Sequence, residues 1–405
     1  MQKLIFFLLS LLLVGCSKKE DTSTRFSKEQ IASLEINSTR EINVNTDSIE
    51  HVNLNGFLTK QSFDFGSMVK EVKLLTLEST DESMLDEIVK IIVTDSNIYI
   101  YDDYKGGSIV IFNKEGRFVK RIPYGQGPGE IYRLYDIDFD EKQNVLIAYQ
   151  QSYLMFFSPS GEFIKQDRLP LGFYNFLTLP DGYLFKKLGR QGNGHLKSYQ
   201  DHSLLFTNKK FKIIGAGMKC LPNIVNYSGY NYLYRNNDQI HITQTFCDTI
   251  FQFDAIRNRL FAKYILDYQK KKLPEQYLTG SLDEFKNAKK HHDYYYYLGQ
   301  FLDTDSHNVF FLENDYIFAQ TVIFRDKKTG HLKGGTTANF SLFEMPPIAF
   351  PTAAYKDFFI SLYDPSNENP FMKNSTIITN KNEVDLSDMN EDDNPVLIFF
   401  KLKRF

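Results

Sequence analysis

Short hydrophobic runs alternate with polar turns along most of the chain, from about Val69 to the C-terminus. Each run holds five to seven residues rich in aliphatic and aromatic side chains, and the turns between runs are tight. Successive side chains of a β-strand point to opposite faces of a sheet, so this pattern predicts strands. We therefore expect an all-β fold from this point on.

One unit of this pattern recurs. A Phe is followed by a polar turn that often ends in Gly, and then by a further strand; the anchoring residues are Phe112, Phe157, Phe206, Phe253 and Phe324. The first three intervals are 45, 49 and 47 residues, and the last is longer by an insertion. A repeat of this length with four short strands is typical of a β-propeller blade.

The first two blades are the clearest. Strands are expected at 88–94, 97–102, 108–113 and 117–122 in blade one, and at 134–139, 144–149, 153–158 and 162–169 in blade two. Blades three, four and five follow the later phenylalanines.

The two ends of the chain are predicted to share the sixth blade. Strands are expected at 356–364 and 394–403, with the alternating segment 69–78 beside them as the outermost strand. Such pairing closes the ring and covers strand edges that would otherwise promote aggregation. The sequence therefore predicts a six-bladed β-propeller over residues 66–405.

The N-terminus has the pattern of a secretory leader. Lys3 precedes a tract of 11 residues, 4–14, that is apolar except for Ser10. A membrane-spanning helix needs about 20 residues, so the tract predicts a signal peptide over 1–15. Residues 16–65 are rich in polar side chains with weak periodicity, and they are expected to form a tether with short local structure.

The end of the leader, at Gly15 and Cys16, resembles the bacterial lipobox. That resemblance implies a diacylated Cys16 and an anchor in the outer membrane of the cell envelope. The alternative is an ordinary signal peptide with an incidental cysteine. The charged residues at 18–21 resemble a surface-export signal of some lipoproteins, or they form a plain solvated tether, so the periplasmic or surface orientation stays open.

Charge and cysteine content narrow the classes of partner. The chain has 47 basic and 50 acidic residues among its 405, for a net charge of −3, and this near-balance gives no electrostatic reason to expect a nucleic-acid partner, which usually needs a basic stripe. Cys220 and Cys247 are not at C-x-x-C spacing, so a zinc or redox motif is unsupported. In an oxidising compartment they either form a disulfide or remain two thiols.

Several segments resemble one family. Residues 125–130, GQGPGE, look like its G-x-G-P-G-E turn after blade one, and Asp248, Thr249 and Ile250 look like its D-T-I strand start. Residues 265–274 and 393–403 are similar to its fourth-blade exit and final strand. The family is that of the six-bladed β-propeller lipoproteins of Gram-negative gut anaerobes, relatives of NHL-repeat propellers. The resemblance implies the fold and a cell-envelope location, and it implies no activity.

No motif predicts a cofactor or a metal. In GQGPGE the third glycine comes one position too early for a dinucleotide fingerprint, Glu130 would repel a phosphate, and Pro128 has no amide hydrogen, so the segment is interpreted as a turn. His291, His292 and Asp293 are interpreted as surface residues rather than as a metal site.

Paired acids at a strand end raise the question of calcium. Asp102 and Asp103 could bind the ion with Asp136 or Asp138, although such pairs are usually solvated turns.

A helix is predicted between blades four and five. Residues 281–299 begin with a capping box formed by Ser281 and Glu284, and Leu282, Phe285 and Ala288 share one face. Gly299 is expected to end the helix. That face is expected to pack on the propeller rim, and the alternative is a helix that binds a partner.

The large insertions all fall on one face of the predicted ring. In a four-stranded meander, the second-to-third-strand loops and the between-blade crossovers share one face, and the insertions 188–202, 268–296 and 364–394 belong to these two classes. Loops that carry function sit on a rigid scaffold. We therefore expect a protein or glycan partner to contact this face. Candidate contacts are Asp102, Tyr104, Gln151, Arg190, His195 and Thr245.

Three functions remain open at this point. The first is a lipid-anchored binding or scaffold protein that uses the loop-bearing face. The second is a lyase or hydrolase with a site at the central channel, as in some NHL-like propellers. The third is a structural part of a nutrient-uptake assembly.

Overall fold

The computed structural model describes residues 26–103, 107–150, 152–187, 193–220, 232–340, 347–365, 378–380 and 389–405. An N-terminal segment precedes the blades. Its elements are α1 (Lys28–Ser33), β1 (Arg40–Ile42), β2 (Val44–Asn45), β3 (Glu50–Asn53), β4 (Ser62–Asp64) and β5 (Val69–Leu75). Short 3₁₀ turns also occur, at Ile36–Ser38, Asn55–Phe57, Gly66–Met68, Gly194–Tyr199, Gln269–Lys271 and Pro347–Ala349.

Blades one to three follow as antiparallel meanders. Blade one consists of β6 (Ile88–Val93), β7 (Asn97–Asp102), β8 (Ser108–Asn113) and β9 (Phe118–Ile122). Blade two consists of β10 (Leu134–Asp140), β11 (Val145–Gln150), β12 (Tyr153–Phe157) and β13 (Phe163–Arg168). Blade three consists of β14 (Asn175–Leu179), β15 (Gly182–Lys186), β16 (His202–Asn208) and β17 (Ile213–Lys219). The predicted strands of blades one and two are confirmed to within about two residues.

Blades four to six complete the ring. Blade four consists of β18 (Leu233–Asn236), β19 (Gln239–Ile242), β20 (Thr249–Asp254) and β21 (Arg259–Asp267). Blade five consists of β22 (Phe301–Asp303), β23 (His307–Asn314), β24 (Ala319–Asp326) and β25 (Leu332–Gly335), followed by β26 (Thr337–Asn339). Blade six contains β27 (Ala353–Tyr355), β28 (Phe358–Tyr363), β29 (Ile378–Asn380) and β30 (Val396–Leu402).

The predicted split of blade six is confirmed, but β5 is not its outermost strand, because β29 pairs in parallel with β5 on the side away from β30. β5 pairs antiparallel with β30, with Val72 opposite Phe400 and Leu75 opposite Leu397. The innermost strands of neighbouring blades also contact one another all round the ring, and β27 of blade six meets β6 of blade one. The fold is therefore a closed six-bladed β-propeller.

The hydrophobic core lies in six layers, one between each pair of neighbouring blades. The period-two pattern explains this division. On β7, Tyr99 and Tyr101 pack against blade two, while Ile98 and Ile100 pack against blade six. Each blade thus has two packed faces, and this is why its strands are more continuously apolar than those of a sheet with one wet face.

The five anchoring phenylalanines are all buried, but two of them are out of register with the others. In each of these blades, one side chain caps the turn between the third and fourth strands, and the residue directly before it marks the equivalent position. This position is occupied by Phe112, Phe157 and Phe253 in blades one, two and four. In blades three and five it is occupied by Thr207 and Arg325, because Asn208 and Asp326 cap those turns. Phe206 and Phe324 therefore face the following blade.

A helical insertion between blades four and five is confirmed, with corrected bounds. It contains α2 (Glu275–Thr279) and α3 (Leu282–His291), and the Ser281 and Glu284 capping box is present. Phe285 and Ala288 are buried as predicted, whereas Leu282 is exposed. α3 ends at His291, eight residues before Gly299, because Tyr295 and Tyr296 form extended bridges to Lys272 and Glu313.

The N-terminal segment adds strands to the outside of three blades. β1 pairs in parallel with β17, β2 and β3 pair with β21, and β4 pairs with β26. Glu50 also accepts hydrogen bonds from the Arg325 guanidinium. Much of the segment that the sequence assigns to the tether is thus folded onto the propeller. Within the part of the chain that the structure covers, no helix is long and apolar enough to span a bilayer.

Candidate functional site on the loop-rich face

The meander topology sorts the connections onto two faces. The first-to-second-strand and third-to-fourth-strand turns lie on what we call the plain face. The second-to-third-strand loops and the crossovers between blades lie on the opposite side, which we call the loop-rich face. Residues 193–201, 243–248 and 268–300 belong to the loop-rich face.

The plain face is closed by its own short turns. Neighbouring turns bond directly, as in the Lys356–Asp95 salt bridge of 2.6 Å and the Asn237–Asp305 hydrogen bond of 3.1 Å. Gly116 and Gly161 supply the left-handed conformation that two of these turns require, with φ of 79° and 85°. This face offers short turns that are already bonded to one another.

The GQGPGE segment is a crossover turn on the loop-rich face. The Gly127 amide donates to the Glu130 carboxylate at 2.7 Å, and the Gly125 amide donates to the Ile131 carbonyl at 2.8 Å. A Cβ atom added at Gly125 would lie 2.0 Å from the Glu130 carboxylate. The carboxylate therefore fills the concave side of the turn, where a phosphate would have to bind.

Asp102, the first predicted contact residue, is a structural acid. It is fully buried at the end of β7, accepts hydrogen bonds from the amides of Asp86 and Glu87, and pairs with Arg121 at 3.2 Å. The bonds to Asp86 and Glu87 connect the end of β7 to the segment that leads into blade one, and the bond to Arg121 connects it to β9. The structure does not bring Asp102 together with His195 or Thr245, the other two described candidates, since all the partners named for Asp102 lie in or before blade one.

His195 positions a loop instead of lining an open site. Its Nε2 atom lies 2.7 Å from the Pro170 carbonyl, and its ring packs edge-on against Phe26 at 5.5 Å. Asn193 binds both the amide and the carbonyl of Gly172. Burial lowers the pKa of His195, against the hydrogen bond to Pro170. The segment 193–199 is thereby docked on the crossover between blades two and three.

Thr245 lies beside a buried polar cluster. Its hydroxyl is 2.6 Å from the hydroxyl of Tyr232, the residue that leads into blade four. The remaining three candidates, Tyr104, Gln151 and Arg190, lie outside the described residues, as does Cys16.

The centre of this cluster is Lys186, at the end of β15. Only 1% of its surface is exposed, and its ammonium group donates to the Ser203 hydroxyl at 2.5 Å. Longer contacts reach the Lys187 carbonyl at 3.3 Å and the Gln244 amide oxygen at 3.4 Å. The Tyr232 ring lies 5.9 Å away. Residues of blades three and four thus meet around one buried amine.

Lys187 adds a second buried positive charge. Its ammonium group donates to the Gln200 carbonyl at 2.8 Å, and its side chain is fully covered. Burial lowers the pKa of each lysine to about 8, from an ordinary value of 10.5. Neither lysine forms a salt bridge with a carboxylate of the described residues. The charge of Asp201 acts on Lys187 and opposes the effect of burial. A buried ammonium that forms no salt bridge is costly, so an anion bound nearby would be stabilised.

The two internal cysteines lie near this cluster and are present as thiols. Burial raises the pKa of the Cys247 thiol, although hydrogen bonds and the Lys186 charge oppose the rise.

The innermost strands carry paired acids. Lys90 lies 2.8 Å from Asp136 and Arg235 lies 3.2 Å from Asp138. Asp303, on β22, accepts from His241 at 3.1 Å and from Lys327. Among the described residues, no three or more His, Cys, Asp or Glu side chains are arranged to hold a metal ion.

Sequence reasoning missed the members of the cluster other than Thr245. One feature of the sequence could have indicated the cluster. Lys186 and Lys187 are two adjacent charged residues at the end of an apolar strand, where the chain reaches the loop-rich face. Ser203, Gln244 and Tyr232 carried no signal of their own. Ser203 reaches Lys186 through the pairing of β15 with β16, and Gln244 and Tyr232 reach it only when blades three and four pack together.

Comparison with known proteins supports this architecture. The family model for the domain of unknown function DUF4934 matches residues 49–401. A protein of Bacteroides fragilis described as exported has a similar structure, with a TM-score of 0.67 and 18% identity over 88% of this chain and 100% of that chain. No curated protein matches the chain.

Two further solved structures are more distant. BamB from Moraxella catarrhalis has a TM-score of 0.37 and 8% identity, over 81% of this chain and 99% of that chain. A protein of unknown function from Bacteroides caccae has a TM-score of 0.36 and 9% identity, over 65% and 83% of the two chains. The likeness to the Bacteroides fragilis protein, at 18% identity, indicates the fold alone.

Proposed function

The chain belongs to the DUF4934 family, and from this premise we propose that it is an exported, lipid-anchored binding or scaffold protein of the cell envelope. Its partner, a protein or a glycan, is bound on the loop-rich face of the propeller. The anchor is Cys16, inserted in the outer membrane.

The observation that carries this proposal is the asymmetry of the two faces. The turns of the plain face bond to one another, as Lys356 does to Asp95. The loop-rich face holds the helical insertion and the buried lysines of blade three. Buried positive charge that forms no salt bridge with a described carboxylate favours an anionic group on the ligand, and long loops around a rigid ring can reach one ligand together.

The location is supported by the sequence of the leader. Residues 4–14 form a short apolar tract that ends at Gly15 and Cys16. Acyl chains contribute about 0.8 kcal/mol for each buried methylene, so two chains would hold the protein at the membrane. The structurally similar protein from Bacteroides fragilis, described as exported, is in keeping with such a location.

Photo-cross-linking in intact cells tests which face is used. A benzophenone amino acid is placed at Ser198 on the loop-rich face or, as a matched control, at Lys210 in a plain-face turn; both positions are exposed. We expect discrete cross-linked partners or glycan adducts from Ser198 and none from Lys210. Adducts from Lys210 alone, or from neither position, would contradict the proposal.

A further inference from the structure

A groove of about 610 Å³ opens on the loop-rich face between α3 and the hairpin that joins β23 to β24. One wall is formed by Lys286, Lys289 and Lys290 of α3, and the other by Phe318 and Ala319 of the hairpin. Glu313, Asn314, Asp315 and Gln320 complete the lining, and the Gln320 side chain donates to the Glu313 carboxylate at 2.6 Å. The size is in the range of ligand sites, which is about 300–1,000 Å³.

The helix wall carries net positive charge. Lys289 is buried and pairs with Asp315 at 2.8 Å, so its charge is compensated. Lys286 and Lys290 are exposed, and neither pairs with a carboxylate among the described residues. Two uncompensated lysines on one wall favour an acidic occupant.

The opposite wall presents an aromatic ring to solvent. Phe318 is 85% exposed, and its φ of 49° lies in the left-handed region that bulky residues avoid. The Asn314 side chain holds this turn by accepting from the amides of Tyr316 and Ile317. Such a conformation costs about 1 kcal/mol or more. An apolar ring presented to water from a hydrogen-bonded turn is suited to contact with a partner.

The spacing of the two lysines matches an extended peptide. Four residues on a helix rise by about 6 Å, and side chains two apart on an extended chain repeat at about 6.6 Å on the same side. Acidic residues at alternate positions would therefore reach Lys286 and Lys290 together. The residue between them points to the opposite wall, towards Phe318.

We propose that this groove binds an extended acidic peptide segment of a partner protein, in which an apolar residue lies between two acidic ones. The inference rests on the proposed function, because it takes the loop-rich face as the binding surface and names the partner's chemistry there. Nucleic acids and anionic membranes fit less well, since they require a larger basic surface than two lysines.

Fluorescence anisotropy with the full-length protein tests the groove. The probe is a labelled hexapeptide of alternating glutamate and leucine, and the reference peptide replaces glutamate by glutamine. We expect the glutamate peptide to bind and K286E/K290E to weaken it at least tenfold. The matched control K210E/K328E makes the same charge change at exposed lysines of the plain face and should leave binding unchanged.

A variant in the hairpin separates binding from folding. F318G removes the ring and relieves the left-handed strain, so binding should fall at least fivefold while the melting temperature stays the same or rises. Equal binding of both peptides, or equal loss in K286E/K290E and the control, would overturn the groove. If the groove is overturned in this way but cross-linking from Ser198 persists in K286E/K290E, only this inference is refuted. The proposed function would then still stand.

Discussion

At the scale of single residues, Lys186 makes stability depend on pH. Its pKa in the folded protein is about 8 because of burial, below its ordinary value of 10.5. Between these two values the unfolded chain binds more protons than the folded one, so raising the pH stabilises the fold. The charged lysine is correspondingly unfavourable below pH 8.

We expect this effect to disappear in K186M. From pH 7.5 to pH 10, the free energy of unfolding of the wild type should rise relative to that of K186M by up to about 3 kcal/mol. Urea unfolding of both proteins at the two pH values measures the difference, and K286M at an exposed position is the control for alkaline effects elsewhere. A difference that does not change with pH would show that the amine is not buried as described.

At the scale of elements, ring closure depends on β5. Val72 and Leu74 pack in the layer between blades five and six, and Leu75 and Leu77 pack in the layer between blades six and one. Removal of residues 1–79 would expose the edge of β30 and open both layers, so we expect a protein that aggregates and lacks a cooperative melting transition.

A chain that begins at Phe26 keeps β5 and serves as the control for this truncation. Size-exclusion chromatography and thermal unfolding compare the two proteins. A monomer with an unchanged melting temperature after removal of 1–79 would argue that β30 does not need its N-terminal neighbour.

At the scale of the whole molecule, the proposed anchor determines where the propeller works. We expect C16A to abolish membrane retention, because the acyl chains that hold the protein at the bilayer would have no attachment. Fractionation of membranes with an antibody to the propeller measures this, and C247A, at a half-buried cysteine of the propeller, is the control. Unchanged retention of C16A would contradict lipidation.

Most of the fold could be predicted from local pattern, and the errors have local causes. Phe206 and Phe324 were aligned with Phe112 by residue type, whereas Asn208 and Asp326 set the register through the turns that their side chains cap. The end of α3 was placed at Gly299 because glycine commonly ends helices. Tyrosine bridges to a neighbouring strand ended it earlier.

The sequence could predict on which face of the propeller the candidate site lies, but not which side chains form it. Loop lengths identify the elaborated side of a ring, since insertions do not disturb the blades beneath them. They do not identify side-chain partners. His195 was expected to contact a ligand, yet it is held by the Pro170 carbonyl and the Phe26 ring, two partners that its own segment does not reveal.

The sequence by itself determined the strands, the blade repeat and the closing segment, because each depends on residues close together in the chain or on a period that can be counted. Only the tertiary structure decided the rest. Lys186 meets Gln244 across the layer between blades, and Arg325 meets Glu50 across most of the chain. Those contacts depend on how the blades pack and how the N-terminal segment wraps them, and no local pattern encodes either.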